Sequence, residues 1–235
     1  MNQRFKDKVA VVTGGSSGIG RASAIQIAKE GAKICLMDLK EEQAEKVKKE
    51  IERDGGEALI TDVDLSDPVR VEKGMKEVVD AWGRIDIIFA NGGINGVLAP
   101  IEDLTPEDWD KTIHTNLKGT FHTVKYALPF MKEKGGSVII TSSVNGNRVF
   151  SNFGMSAYST CKAGQMAFGK MAALELAKFE LPPLNLLSGC LKWGILGNRA
   201  YLLVYFFPNS GFSSLPSYPR SPYGFIGCLS RSYHS

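Results

Sequence analysis

Tyr158 and Lys162 stand four residues apart in Tyr158-Ser159-Thr160-Cys161-Lys162, at the head of a segment rich in Ala, Met and Leu. Residues four apart on a helix share a face. A phenol beside an ammonium makes a proton donor and acceptor that can be tuned to work near neutral pH. A free tyrosine titrates near pH 10, so a base active near pH 7 needs a shift of about 3 units, or about 4 kcal/mol, which a close positive charge can supply. Tyr-x-x-x-Lys alone is a common chance spacing. It gains meaning from a second feature, Thr13-Gly14-Gly15-Ser16-Ser17-Gly18-Ile19-Gly20, a glycine-rich turn between a strand pattern and a helix pattern. Glycines there let backbone N–H groups approach a diphosphate, with the positive end of the following helix pointing at it. The plain alternative is a tight strand-to-helix turn with no ligand. A nucleotide site and a proton site in one chain point to hydride transfer.

Other polar residues fall where strand patterns end. Asp38 closes the second apolar run, about 20 residues past the glycine turn, where a carboxylate accepts hydrogen bonds from ribose hydroxyls and repels a 2′-phosphate. This favours NAD over NADP. Its bland reading is an exposed cap on the next helix. Asp64, in Asp64-Leu65-Ser66-Asp67, can meet an adenine or serve as an N-cap. Asn91-Gly92-Gly93 lets the chain pass close to a bound ribose. Ser143 can hold a substrate oxygen or simply form a turn.

The elements that must position these residues alternate. Strands are expected at Lys8–Thr13, Lys33–Met37, Ala58–Val63, Ile85–Ala90 and Ser137–Thr141. Helices are expected at Ile19–Glu30 with Gly31 behind it, Glu41–Arg53, Pro68–Trp82, from Thr105-Pro106 toward Lys134, and Tyr158–Lys178. Such alternation reads as an α/β fold, a doubly wound parallel sheet of Rossmann type with its ligand crevice at the carboxyl ends of the strands.

The pattern covers residues 1–180, a nucleotide-binding oxidoreductase domain. Residues 181–235 form an atypical C-terminal tail rather than a separate domain. The tail holds six of the ten prolines and ten of the 22 aromatic residues but no acid, whereas residues 1–180 hold 24 basic and 25 acidic side chains. Leu181-Pro182-Pro183-Leu184-Asn185-Leu186-Leu187 stands where the next buried strand is due, and prolines belong in edge strands or loops. The tail is therefore expected to pack poorly on the sheet, with few regular elements. It reads as a divergent substrate module or as the product of a shifted reading frame.

With a net charge of +3 on 235 residues there is no nucleic-acid footprint. The longest apolar run, Tyr201–Phe207, is too short to span a bilayer. Four scattered cysteines and three histidines offer no metal-ligand spacing, so no metal is expected, and reduced thiols suit a cytoplasmic protein.

Taken together, Thr13-Gly-x-x-x-Gly-x-Gly20, Asp38, Asp64, Asn91-Gly92-Gly93, Asn116 in Asn116-Leu117-Lys118-Gly119, Ser143 and Tyr158-x-x-x-Lys162 resemble the short-chain dehydrogenase/reductases, over about residues 6–179. Ala90-Asn91-Gly92-Gly93 replaces the family's usual Asn-Asn-Ala-Gly, and the Ser143–Tyr158 interval is slightly long. The resemblance implies an NAD(P)-dependent oxidoreductase acting on a secondary alcohol or ketone, with Tyr158 as acid/base. Lys162 then binds the nicotinamide ribose and lowers the phenol's pKa, Ser143 orients the substrate oxygen, and Asn116 holds a relay water. The cofactor residues implied are Gly14, Ser16, Ser17, Gly18, Ile19, Gly20, Asp38, Asp64, Leu65, Asn91 and Gly93, with Tyr158 and Lys162. A small-molecule substrate and a homo-oligomer also follow. After Phe179 the family pattern is lost, so the alternative is a cofactor-binding but catalytically defective protein.

Overall fold

The computed structural model describes residues 3–147 and 154–176, together with the backbone of strands 185–190, 201–205 and 226–229. Its elements follow the sequence order closely. Strand β1 (Val9–Thr13) leads to α1 (Gly18–Lys29), β2 (Lys33–Asp38), α2 (Glu41–Arg53), β3 (Glu57–Asp62), α3 (Pro68–Trp82) and β4 (Ile87–Ala90). Then come α4 (Pro106–Thr112), a π-helical turn (Ile113–Lys118), α5 (Gly119–Ala127), β5 (Ser137–Ser142) and α6 (Ser156–Leu176). The expected end of the last helix at Lys178 lies outside the described residues.

Local chemistry explains most boundaries. Asp67 caps α3 by accepting from the Val69 and Arg70 N–H groups, with Pro68 behind it where no N–H is needed. Thr105 and Pro106 do the same for α4. The helix expected to continue toward Lys134 is instead broken into α4, the π turn and α5, and ends at Ala127.

Strands β3, β2, β1, β4 and β5 lie side by side in that order, all parallel. Their interior is apolar on both faces, as a sheet covered by helices requires. Val9, Val11, Cys35, Met37, Ile88 and Ile140 pack on one side with α3, α5 and α6, and Ala10, Val12, Ile34, Leu36 and Phe89 on the other with α1 and α2. The order reverses between β1 and β4, which opens a crevice at their carboxyl ends.

The tail departs from expectation. Strand β6 (Asn185–Cys190) pairs parallel to β5, and β7 (Tyr201–Tyr205) and β8 (Ile226–Leu229) extend the sheet antiparallel. The prolines do not prevent this, because β6 begins at Asn185, two residues past Pro183 in the sequence. Ile226–Leu229 is likewise a strand in a tail expected to hold few regular elements. Among the described residues no helix is long and apolar enough to cross a membrane, and no cluster of His, Cys, Asp and Glu could hold a metal ion.

Candidate active site

The glycine turn lies at the β1–β4 reversal. Gly14 has a φ of 64°, and a Cβ there would sit 2.9 Å from Gly92 Cα. A Cβ on Gly20 would meet the Gly14 carbonyl oxygen at 2.1 Å, so only hydrogen fits at the start of α1. The Ser17 side chain makes no capping bond to α1, whose first turn begins at Gly18 and Ile19. Its N–H groups and positive dipole end are thus a ready anion site. A dinucleotide diphosphate suits this cradle.

Asp38 reaches back across the turn. Its Oδ2 accepts from the Ser16 N–H (3.0 Å) and hydroxyl (2.6 Å), and its Oδ1 from the Lys40 N–H (3.1 Å). It does not cap α2, whose first N–H groups receive no side-chain bond. Asp64 is not a cap either: it accepts from the Ser66 N–H (2.8 Å) and hydroxyl (2.7 Å), while Asp67 caps α3. Leu65 fills the space over Gly92, where a Cβ would be 2.5 Å from Leu65 Cδ1. The Leu65 carbonyl meets His122 Nδ1 at 3.0 Å. Thr13, which sequence reasoning used only as the edge of a motif, ties the two strand ends together. Its Oγ1 accepts from the Asn91 N–H (3.0 Å) and the Gly92 N–H (2.9 Å), and its carbonyl from Asn91 Nδ2 (3.3 Å).

Tyr158 and Lys162 sit on the first turns of α6. Tyr158 is half-buried and Lys162 is 4% exposed, with Nζ 5.5 Å from the Tyr158 ring centroid. Lys162 Nζ donates to the Thr141 carbonyl at the end of β5 (2.8 Å), and the Ser142 hydroxyl donates to the Lys162 carbonyl (2.7 Å). Burial pushes the Lys162 ammonium down to about 8. Ser143 is buried, and its Oγ accepts from the Asn145 N–H (3.3 Å), so it also forms the turn foreseen as its bland role. Gly146 in that turn lies against α6, where a Cβ would be 2.7 Å from the Lys162 carbonyl carbon.

Asn116 lies fully buried inside the π turn. Its Oδ1 accepts from the Ile94 N–H and its Nδ2 donates to the Ile94 carbonyl, both at 2.7 Å. Gly93 permits that approach, since a Cβ there would be 2.8 Å from Asn116 Oδ1. Two groups of residues are thereby assembled. The first gathers Gly14 to Gly20, Asp38, Asp64, Leu65, Asn91 and Gly93 around the carboxyl ends of β1, β2, β3 and β4. The second is Ser143, Tyr158 and Lys162 beside the end of β5, and Asn116, in the π turn, is bonded to Ile94 on the loop that follows β4. Thr141 was missed because its backbone carbonyl, not its side chain, does the work, and no residue-type signal marks a carbonyl.

This assembly is matched by a family model described as short chain dehydrogenase, over residues 8–191. The chain is a short-chain dehydrogenase/reductase. The family match covers the stretch over which the resemblance was expected and runs on across β6 to residue 191. Levodione reductase from Leifsonia aquatica is 37% identical over 181 residues, spanning 76% of this chain and 67% of that one. NAD+-bound xylitol dehydrogenase is similar in structure, with a TM-score of 0.75, 32% identity, and 79% of this chain and 71% of that one covered. A short chain dehydrogenase from Burkholderia cenocepacia J2315 in complex with NADP has a TM-score of 0.74 at 32% identity, covering 78% and 74%. The protein is therefore an NAD(P)-dependent oxidoreductase of CH–OH or carbonyl groups, and the catalytically defective alternative finds no support in these relatives.

Proposed function

We propose that this dehydrogenase interconverts a small secondary alcohol and its ketone, that it prefers NAD to NADP, and that Tyr158 is its acid/base. The observation that carries the reading is the buried Lys162, fixed to the Thr141 carbonyl and facing the Tyr158 ring beside a glycine cradle. Nicotinamide, when bound, supplies the hydride acceptor or donor. Tyr158 takes the hydroxyl proton of the alcohol, or returns it to the ketone oxygen. The Lys162 charge favours the phenolate and reaches the ribose. Ser143 donates a hydrogen bond to the substrate oxygen, and Asn116 anchors the loop across which a relay water passes the proton onward.

Preference for NAD rests on Asp38, whose carboxylate ends β2 beside the glycine turn and would repel a 2′-phosphate. A cytoplasmic location suits the free, buried thiols of Cys35 and Cys161. A homo-oligomer suits the exposed Phe121, Met171 and Leu174 on α5 and α6. Fluorescence titration with NADH and NADPH tests the cofactor reading. NADH should bind at least tenfold tighter, about 1.4 kcal/mol, and Asp38→Ala should narrow the gap. Equal affinities would remove the NAD preference, and failure to bind either would remove the function.

A further inference from the structure

Behind the acid/base pair, two polar side chains, Gln165 and Thr120, meet at the Asn116 backbone carbonyl in the core. Gln165 follows Lys162 by one turn of α6 and is 1% exposed. Its Nε2 donates to the Asn116 carbonyl (2.9 Å) and to Thr120 Oγ1 (2.7 Å). Thr120 Oγ1 donates to the same Asn116 carbonyl at 2.8 Å. That carbonyl belongs to the π turn, where the Gly119 N–H reaches back five residues to the His114 carbonyl. Gln165 Oε1, by contrast, is buried without a hydrogen-bond partner.

A buried amide with an unpaired oxygen costs folding free energy, and Leu or Met would fill the same helix face without that cost. What the glutamine offers instead is a pair of N–H donors, one to the Asn116 carbonyl of the π turn and one to Thr120 Oγ1 on the first turn of α5, which itself donates to that carbonyl. Single π turns inside α-helices are uncommon and recur at functional sites, because the wider turn misaligns the hydrogen-bond ladder. Extra donors from a neighbouring helix hold it open.

We propose that Gln165 is a positioning residue: it locks the π turn to α6 and so holds the Asn116 side chain on Ile94. The catalytic value of that placement rests on the role proposed above for Asn116. Without the two donors, the turn is free to tighten by one residue into α register. A one-residue change of register rotates a side chain by about 100°, which carries Asn116 off the Ile94 backbone.

The test is hydrogen exchange at the Ile94 amide, read by NMR in the full chain, which needs no turnover. In Gln165→Leu the Ile94 N–H should exchange roughly tenfold faster or more, the scale of one lost hydrogen bond. The Val11 and Leu36 amides in the sheet should keep their rates. Thr120→Val removes the other side-chain donor to the same carbonyl and should loosen the same amide, whereas Thr120→Ser should not. If Gln165→Leu does not fold, the Thr120 pair decides the matter. In the same variants kcat should fall roughly tenfold with NADH affinity unchanged. An Ile94 amide as protected in Gln165→Leu and Thr120→Val as in the wild type would overturn the proposal. Faster Ile94 exchange in the variants, with a wild type that shows no turnover, would instead count against the proposed reaction and leave the positioning intact.

Discussion

Lys162 shows how much a single side chain gives up to stand in this site. Only 4% exposed, its ammonium is moved by burial from the usual 10.5 to about 8. Between those values the unfolded chain holds a proton that the folded chain has released, so folding stability rises with pH across that window. The effect is about 3 kcal/mol, at 1.36 kcal/mol per unit. Lys162→Met lacks the titrating group. Urea unfolding from pH 8 to 10.5 should show the wild type gaining that much on the variant. Parallel pH curves for the two proteins would mean that Lys162 is not buried as described. The Tyr158–Lys162 pairing was legible in the sequence because helix periodicity fixes the relation of i to i+4. The Thr141 carbonyl that receives the lysine was not, because every residue carries a carbonyl and only the register of β5 against α6 selects one.

At the scale of elements, the sequence read well wherever a single local rule governs. Asp67-Pro68 and Thr105-Pro106 set helix starts, and the observed α2 and α3 bounds match those expected. It read poorly where tertiary contacts decide. The π turn has no compositional sign, since Ile113–Lys118 satisfies helical spacing and only partners from α6 and Ile94 widen it. The opposite end of the sheet has a comparable polar knot that also escaped notice. Asp86, just before β4, accepts from the Val9 N–H (2.9 Å) and from Arg84 Nε (2.8 Å), and its carbonyl accepts from the Ser137 N–H (2.7 Å). It thereby joins β1, β4 and β5. Burial alone would raise its carboxyl pKa. The Arg84 and Val9 hydrogen bonds and the charges of Arg84 and Lys8 outweigh burial and lower it. Glu30, bonded to Arg4 and Gln26, is pulled down to about 2 in the same sense. Carboxylates lowered on folding add stability above their ordinary range, and that stability is lost as pH falls through the lowered values. Asp86→Ala should cost about 2–4 kcal/mol at neutral pH, because the buried Val9 N–H loses its side-chain acceptor and Arg84 its partner. It should also flatten the acid limb of a pH–stability curve. Urea midpoints within about 0.5 kcal/mol of wild type would mean the knot is ornamental.

For the whole molecule, residues 1–180 were legible because five strand and five helix patterns and an ordered series of motifs all agree on one sheet. Residues 181–235 were not, because proline and aromatic content argued against strands while pairing depends on which backbone is left open beside β5. Strand β6 takes that place and shields the β5 edge, with β7 and β8 beyond it. An edge left bare there would invite association with other chains. The tail strands therefore belong in any account of the sheet. The decisive measurement is NADH formation by the purified full-length protein supplied with NAD+ and a panel of small secondary alcohols, alongside Tyr158→Phe. The wild type should turn over at least one of them. The variant should lose activity by about 10²- to 10⁴-fold, the usual worth of a positioned proton donor, while binding NADH as tightly as before. A wild type that binds NADH yet oxidises no alcohol, or a Tyr158→Phe variant as fast as wild type, would contradict the account.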